Sequence, residues 1–346
     1  MSRSRVLAIL PLLAALPFAI SFGPHDALQA SGSQASHIER LWWVFFWICA
    51  VVYVLSFAAV LIASFKRRKP GEGGDPRMPR PDLPPEPARD RRASAVVSSV
   101  VALSIVILFA LALSDFVTGK RIHSLSEATP LNIRITGHQW WWEVQYNDPI
   151  QSNILLTANE IHLPVGRVVD VELNSNDVIH SFWLPELAGK KDMIPLHPVR
   201  VRIRADKVGT YFGQCAEFCG FQHAKMRLMV VVEPKEQFEA WHAAQLQPAP
   251  EPTTDSQKRG KQIFETGTCS MCHTIQGTLA RSRLGPELTH IGGRARIASN
   301  WLPNDRGNLA GWIADAQKIK PGVIMPPNPL PPTDLRALLD YLESLK

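Results

Sequence analysis

Between Cys215 and Met226 the chain reads Cys-Ala-Glu-Phe-Cys-Gly-Phe-Gln-His-Ala-Lys-Met, so two thiols, the imidazole of His223 and a thioether share one short stretch. These are soft donors, suited to copper rather than to magnesium or calcium. Cys215 and Cys219 stand four positions apart, and two thiolates at that spacing can bridge a pair of metal ions while His223 and Met226 cap the ends. A second imidazole is available upstream at His180, in Asp177-Val-Ile-His180-Ser-Phe-Trp. A Cys215–Cys219 disulfide is the first alternative, but it leaves His223 and Met226 without a purpose. A zinc site is the second, but it more usually shows another close Cys pair or two close His residues, and a thioether is a poor zinc ligand.

A second reactive constellation lies at Cys269-Ser-Met-Cys272-His273. C-x-x-C-H is the covalent attachment signature of a c-type haem, with a thioether from each cysteine and the histidine as proximal iron ligand. A bare C-x-x-C would leave a redox motif or half a zinc site open. The adjoining histidine argues against both.

The elements that must position these groups differ along the chain. From about Pro130 to Pro234, short β-rich runs (Leu131–Thr136, Ile154–Leu156, Val168–Leu173, Val199–Ile203 and Leu228–Val232) alternate with Asn, Asp, Gly and Pro turns. Strands at such spacing predict an all-β sandwich or barrel. His180 falls on a loop after the Val168–Leu173 run, and the other soft ligands fall on one loop between the last two strands. Glu236–Ala244 reads as a short helix, followed by the Pro-rich 247–255, a semi-stiff linker. Beyond it, Gly260 and Phe264 precede the haem motif on one helix, and Leu335, Leu338, Leu339 and Leu342 stripe the last one.

The amino-terminal part is apolar. Residues 1–22, with Arg3 and Arg5 before the Val6–Ile20 run and small residues at Ala19 and Ser21, are similar to a secretory signal peptide cleaved near Ser21. Residues 23–125 are expected to form a two-helix transmembrane hairpin, since Leu41–Phe65 and Ala93–Phe116 are each long enough to cross a hydrocarbon core of ~30 Å. Trp42 and Trp43 sit near one end of the first segment, where interfacial aromatics belong. The connector 66–92 is rich in proline, and its Lys66, Arg67, Arg68, Lys69, Arg77, Arg80, Arg89, Arg91 and Arg92 outnumber its acids, which predicts a cytoplasmic loop. The net charge of +6 is therefore explained by membrane orientation, and no nucleic-acid partner is implied. Cys49 lies in the first apolar segment and reads as a small packing residue.

Taken together, the His180, Cys215, Cys219, His223 and Met226 set resembles the dinuclear CuA centre of subunit II of cytochrome c oxidases, and residues 256–346 resemble a small cytochrome c. The chain thus resembles a subunit II with a fused carboxy-terminal cytochrome c, the caa type. The resemblance implies a cupredoxin-like Greek-key barrel over 126–246 and an all-α cytochrome c domain over 256–346. It makes Cys215 and Cys219 the bridging thiolates, His180 and His223 the terminal nitrogens, Met226 the weak axial ligand and Glu217 the donor of a backbone carbonyl. The Glu217 carboxylate matches the family's ligand to a magnesium or manganese ion at the boundary with subunit I; the plainer alternative is a surface acid. In Gly137-His138-Gln139-Trp140-Trp141-Trp142, Trp140 matches the aromatic that receives electrons from cytochrome c, while Trp141 and Trp142 read as packing. Asp177 and Asp192 resemble acids of the docking face, and Asp90 is a loose candidate for the start of a proton path. Leu284-Gly-Pro286 resembles the proximal haem loop, and Met325, in Val-Ile-Met-Pro-Pro, is the expected distal haem ligand.

The implied function is electron relay from the chain's own haem c to CuA and on to haem a of subunit I, where haem a3 and CuB reduce oxygen to water with proton pumping. Subunit III is an implied partner, and the donor is a quinol–cytochrome c oxidoreductase or a soluble cytochrome c. The implied location is the bacterial inner membrane, multi-pass, with both cofactor domains on the periplasmic face. A CuA-bearing subunit of a nitric oxide reductase and a membrane-tethered carrier without an oxidase are the competing readings.

Overall fold

A computed structural model describes residues 25–65 and 87–346, with the side chains of residues 87–90 excepted. The expected signal peptide, most of the basic connector and the Asp90 side chain lie outside the described residues. Two compact units are present, one spanning residues 37–124 and the other comprising 125–346 together with the described residues before 37.

In the smaller unit, α1 (Ser33–Phe65) and α2 (Pro87–His123) extend well beyond the apolar cores that announced them. Both are long and apolar enough to cross a membrane. Trp42, Trp43, Phe46 and Trp47 form one aromatic cluster with Trp42 and Phe46 stacked at 5.2 Å. Cys49, expected as a packing residue, is instead exposed on α1. An apolar helix in lipid has no need to bury its small side chains.

The β domain of the larger unit contains ten strands. β1 (Leu131–His138), β2 (Trp141–Tyr146), β3 (Leu155–Ala158), β4 (Glu160–Pro164), β5 (Val168–Ser175), β6 (His180–Phe182), β7 (Lys191–Met193), β8 (Val199–Arg204), β9 (Gly209–Gln214) and β10 (Arg227–Glu233) follow in chain order. One sheet has the order β3-β2-β1-β5-β8 and a second β4-β10-β9, while β6 and β7 pair separately. The β1–β5 and β4–β10 pairs are parallel, which requires crossovers between sheets and gives the cupredoxin-like sandwich. The inward residues Ile133, Ile135, Trp142, Val144, Leu173 and Val230 fill the space between the sheets. The five predicted runs are strands, as is the stretch around Tyr211–Gly213 that was expected to lead into the ligand loop (β9), but β2, β4, β6 and β7 were not legible as such. Each is short or interrupted by Trp, His or charged residues that dilute the alternation. α3 (Lys235–Gln245) closes one end, with Trp241 stacked at 4.0 Å on His162.

The helical domain begins at α4 (Asp255–Thr266), where Thr254 and Gln257 form a reciprocal capping box. Short helices α5 (Arg306–Ala314) and α6 (Ala316–Ile319) follow, and α7 (Pro332–Ser344) crosses back over α4. The crossing is close because of Gly260: a Cβ there would lie 2.1 Å from the Ala337 carbonyl oxygen and 2.6 Å from Tyr341 Cβ. Phe264 and Tyr341 then meet edge to face at 6.4 Å. Gly260→Ala is expected to force the two helices apart. The overpacking cost of ~1–3 kcal/mol exceeds the ~1 kcal/mol of helix propensity gained, so thermal unfolding of this domain should shift downward in calorimetry.

Candidate metal centre and haem cavity

The loop between β9 and β10 carries the soft donors, and the ladder of those strands fixes its two ends. Cys215 N–H donates to the Met226 carbonyl at 3.0 Å, and Ala216 N–H donates to the Ser181 carbonyl of β6 at 3.0 Å. His180, expected on a loop, is instead the first residue of β6, paired with Met193 of β7. Its three-residue strand is too short to produce a detectable pattern. Gly137 on β1 makes room for it, since a Cβ there would lie 2.8 Å from the His180 ring.

Five predicted donors converge. Cys215 Sγ lies 3.8 Å from His180 Nδ1 and 3.7 Å from Cys219 Sγ, and Cys219 Sγ lies 3.6 Å from His223 Nδ1 and 3.8 Å from Met226 Sδ. The Glu217 carbonyl, 3.2 Å from Cys215 Sγ, faces the same cluster. Glu217 itself is exposed, its carboxylate accepting only from Phe218 N–H at 3.3 Å. No described cysteine is in a disulfide. A largely buried cluster of thiols, imidazoles and a thioether at these separations fits copper by donor chemistry.

The electrostatics favour charge on one sulfur. The Cys219 thiol holds its neighbour's thiolate and brings Cys215 well below the usual thiol range, while Cys215 and burial push Cys219 up. Burial opposes charge on both members of the His180–Asp177 pair, but their 2.8 Å contact outweighs it. His180 is raised, with Cys215 assisting, and Asp177 is held low, with Val178 and Gln139 N–H assisting. Asp177 is therefore the carboxylate that orients a histidine of the cluster, a role its surface-like sequence context did not signal.

Trp140 lies against this loop. It is 8% exposed, and its indole N–H donates to the Cys219 carbonyl at 2.9 Å, beside the Gln139 amide on the same oxygen at 2.7 Å. Gly220, at φ +109°, allows the approach, since its Cβ would lie 3.0 Å from the indole ring. Trp142 is fully buried, and Trp141 stacks on His138 at 4.3 Å. Asp192 lies exposed on β7, opposite Ser181.

In the helical domain, Cys269, Cys272, His273 and Met325 all line one predominantly apolar cavity of about 650 Å³. That is the size range of small-molecule cofactor sites, ~300–1,000 Å³. His273 Nδ1 donates to the Pro286 carbonyl at 2.7 Å, which leaves Nε2 for a metal. Gly285 passes flat over the ring, where a Cβ would lie 2.8 Å from Cε1. The Met325 backbone is held by the Gln317 amide at 2.7 Å. Arg294 also lines the cavity, and its buried Nε has no hydrogen-bond partner among the described residues, so a cationic donor is available to an anionic group bound there. The beta domain contributes His138, Gln139, Trp140 and Asp177 to the same cavity wall. Two thiols, an imidazole and a thioether on an apolar wall fit a covalently attached haem, which Cys269, Cys272, His273 and Met325 would hold.

Binding a metal at the thiol cluster displaces protons from Cys219 and His180, so copper affinity should rise with pH and fall as the solution is acidified. Proton release on copper addition, followed by pH-stat, checks this. Asp177→Asn should weaken copper retention against a chelator by about 10–100-fold, because it removes the charge that orients His180.

Residues 149–233 match the family described as the periplasmic domain of cytochrome c oxidase subunit II, and residues 257–346 match the cytochrome c family. A cytochrome c oxidase subunit 2 of Alkalihalophilus pseudofirmus is 32% identical over 92% of this chain and 90% of its own length. That of Bacillus subtilis is 29% identical over 70% of this chain and 69% of its own. The crystal structure of the periplasmic domain of subunit II from Bradyrhizobium japonicum is 30% identical, covering 34% of this chain and 95% of that one with a TM-score of 0.32. The two domain families bring a CuA centre and a haem c with them, and the relatives favour an oxidase over the nitric oxide reductase and free-carrier readings. The chain belongs to the cytochrome c oxidase subunit II family, and it carries a cytochrome c domain after its copper domain.

Proposed function

We propose that His180, Cys215, Cys219, His223, Met226 and the Glu217 carbonyl hold the CuA pair, and that Cys269, Cys272, His273 and Met325 hold haem c. The observation carrying this reading is the convergence of the soft donors at 3.6–3.8 Å within the β9–β10 loop and β6. When bound, the two groups supply one-electron carriage, passing electrons from haem c through CuA to haem a of an oxidase partner. The chain's own residues hold these carriers rigidly, exclude water and keep them close. Trp140 serves as the bridge between them, supported by its place in the cavity wall and its hydrogen bond to the Cys219 carbonyl. Linking donor and acceptor on one chain replaces an encounter in solution by an effective concentration of order mM.

The finer assignments belong to the same reading. The exposed Glu217 carboxylate is a hard oxygen donor suited to magnesium or manganese shared with subunit I. Subunits I and III are the partners, and a quinol–cytochrome c oxidoreductase or soluble cytochrome c is the donor. The hairpin of residues 23–125 crosses a bacterial inner membrane twice, leaving the β domain (126–246), linker (247–255) and cytochrome c domain (256–346) on the periplasmic face.

Metal and haem analysis of the purified complex tests the proposal: two coppers and one covalent haem per chain, with haem a copurifying, are expected. A mononuclear copper signal, zinc in place of copper, or absence of haem a would overturn it. Met325→Ala should leave the haem attached while changing the iron spin state in visible and near-infrared spectra. Trp140→Phe keeps most of the ring volume but removes the indole donor to Cys219. Flash kinetics should then show slower haem-to-copper transfer with unchanged onward transfer to haem a.

A further inference from the structure

Lys320 is 1% exposed, an unusual state for a lysine. Its ammonium donates to three main-chain carbonyls: Lys225 at 3.1 Å, Ala298 at 3.3 Å and Trp140 at 3.4 Å. Burial, with the nearby Lys225 charge, lowers this lysine to about 7, and three acceptors matching the three donors of an ammonium offset part of that cost. Ala298 and Lys320 belong to the helical domain, whereas Trp140 and Lys225 belong to the β domain, so the side chain ties the two together.

The neighbouring contacts run in both directions across the same seam. From the β domain, the Lys225 ammonium donates to the Ile319 carbonyl at 2.8 Å and the Gln222 amide to the Pro321 carbonyl at 2.6 Å. From the helical domain, Ser299 Oγ donates to the Trp140 carbonyl at 2.6 Å and the Asn300 amide to the Asn159 carbonyl at 2.5 Å. Ala298, Ser299 and Asn300 all have φ between 55° and 58°, a region costly for residues other than glycine. That turn is held by the bonds it makes to the β domain, including Arg227 N–H to the Ser299 carbonyl at 3.3 Å.

We propose that Lys320 is the positioning residue that holds the haem cavity in register with Trp140 and the copper loop. This rests on the cofactor assignments above. Trp140 is gripped at both ends, its indole by the Cys219 carbonyl and its own carbonyl by Ser299 and Lys320. Sliding the helical domain would therefore change the gap between the cavity and Trp140, and electron tunnelling falls exponentially with such a gap. The fused cytochrome is thereby a docked component of the relay rather than a carrier swinging on its linker.

The test compares wild type, Lys320→Met and Ser299→Ala in the intact oxidase. Lys320→Met keeps the side-chain length but leaves the Lys225 and Ala298 carbonyls without this donor. Amide hydrogen exchange at residues 298–300, 319 and 322 should accelerate by about tenfold or more, the factor carried by the loss of one charge-assisted hydrogen bond. Haem-to-copper transfer should slow, with haem and copper spectra and copper-to-haem a transfer unchanged. Ser299→Ala should change exchange and transfer in the same direction by less. Unchanged exchange and transfer in Lys320→Met would overturn the proposal. So would loss of the copper or haem spectrum in that variant, which would make Lys320 a folding residue instead. Failure of the underlying reading looks different: wild type itself would lack the two coppers, the covalent haem or any transfer between them.

Discussion

Gathering two thiols, two imidazoles and a thioether into one largely buried cluster, each donor within 4 Å of at least one other, is the constraint on which the molecule depends. Without metal, such donors compete for few protons, and the pair divides unevenly: Cys215 is brought down while Cys219 is pushed up. A loop alone would relax away from that arrangement. Here it cannot, because β9 and β10 hold both its ends and β6 pins its first residues through the Ala216–Ser181 bond. The same stiffness suits electron transfer, where a carrier that rearranges little on changing charge reacts faster.

Around this loop, glycines allow close approach where any side chain would intrude. Gly137 admits the His180 ring and Gly220 admits the Trp140 indole, while Gly285 does the same for His273 in the helical domain. Asp177 then fixes His180 from behind, and the Pro286 carbonyl fixes His273. Each histidine thus has one nitrogen committed to the protein and one turned toward its site, which selects the tautomer needed for metal binding.

The seam between the β and helical domains has the character of a fold interior rather than a transient contact. It buries Lys320 and the Glu287–Arg294 pair, the latter also reaching Thr157 of the β domain at 3.2 Å. Burial pushes Glu287 up to about 7 against the opposing pull of Arg294 and Thr289. Leaving such groups unpaired would be costly, so the seam is stable only when its donors and acceptors meet together. Arg227 and Lys225 over the Trp301 ring, at 4.5 and 5.1 Å, add attraction at its edge.

Ligand chemistry was local in the sequence. Cys215 to Met226 and Cys269 to His273 are contiguous, because a metal loop and a haem attachment loop each need several donors on one turn of chain. The apolar lengths of α1 and α2 were equally plain, since crossing lipid demands an uninterrupted run. The sequence also placed Met325 and His180 as candidates, but only the folded chain sets His180 at the start of β6 beside Cys215 and Met325 in the wall of the same cavity as His273. Short strands such as β6 and β7 left no periodic trace. Asp177 resembled an acid of a docking face, and nothing beside Lys320 or Arg294 in the chain singles them out. Their roles depend on partners up to 180 positions away, as with Lys320 and the Trp140 carbonyl. Charge, length and motif are properties of adjacent residues, whereas burial and hydrogen-bond partnership are properties of the packed domains, and those only the tertiary structure decides.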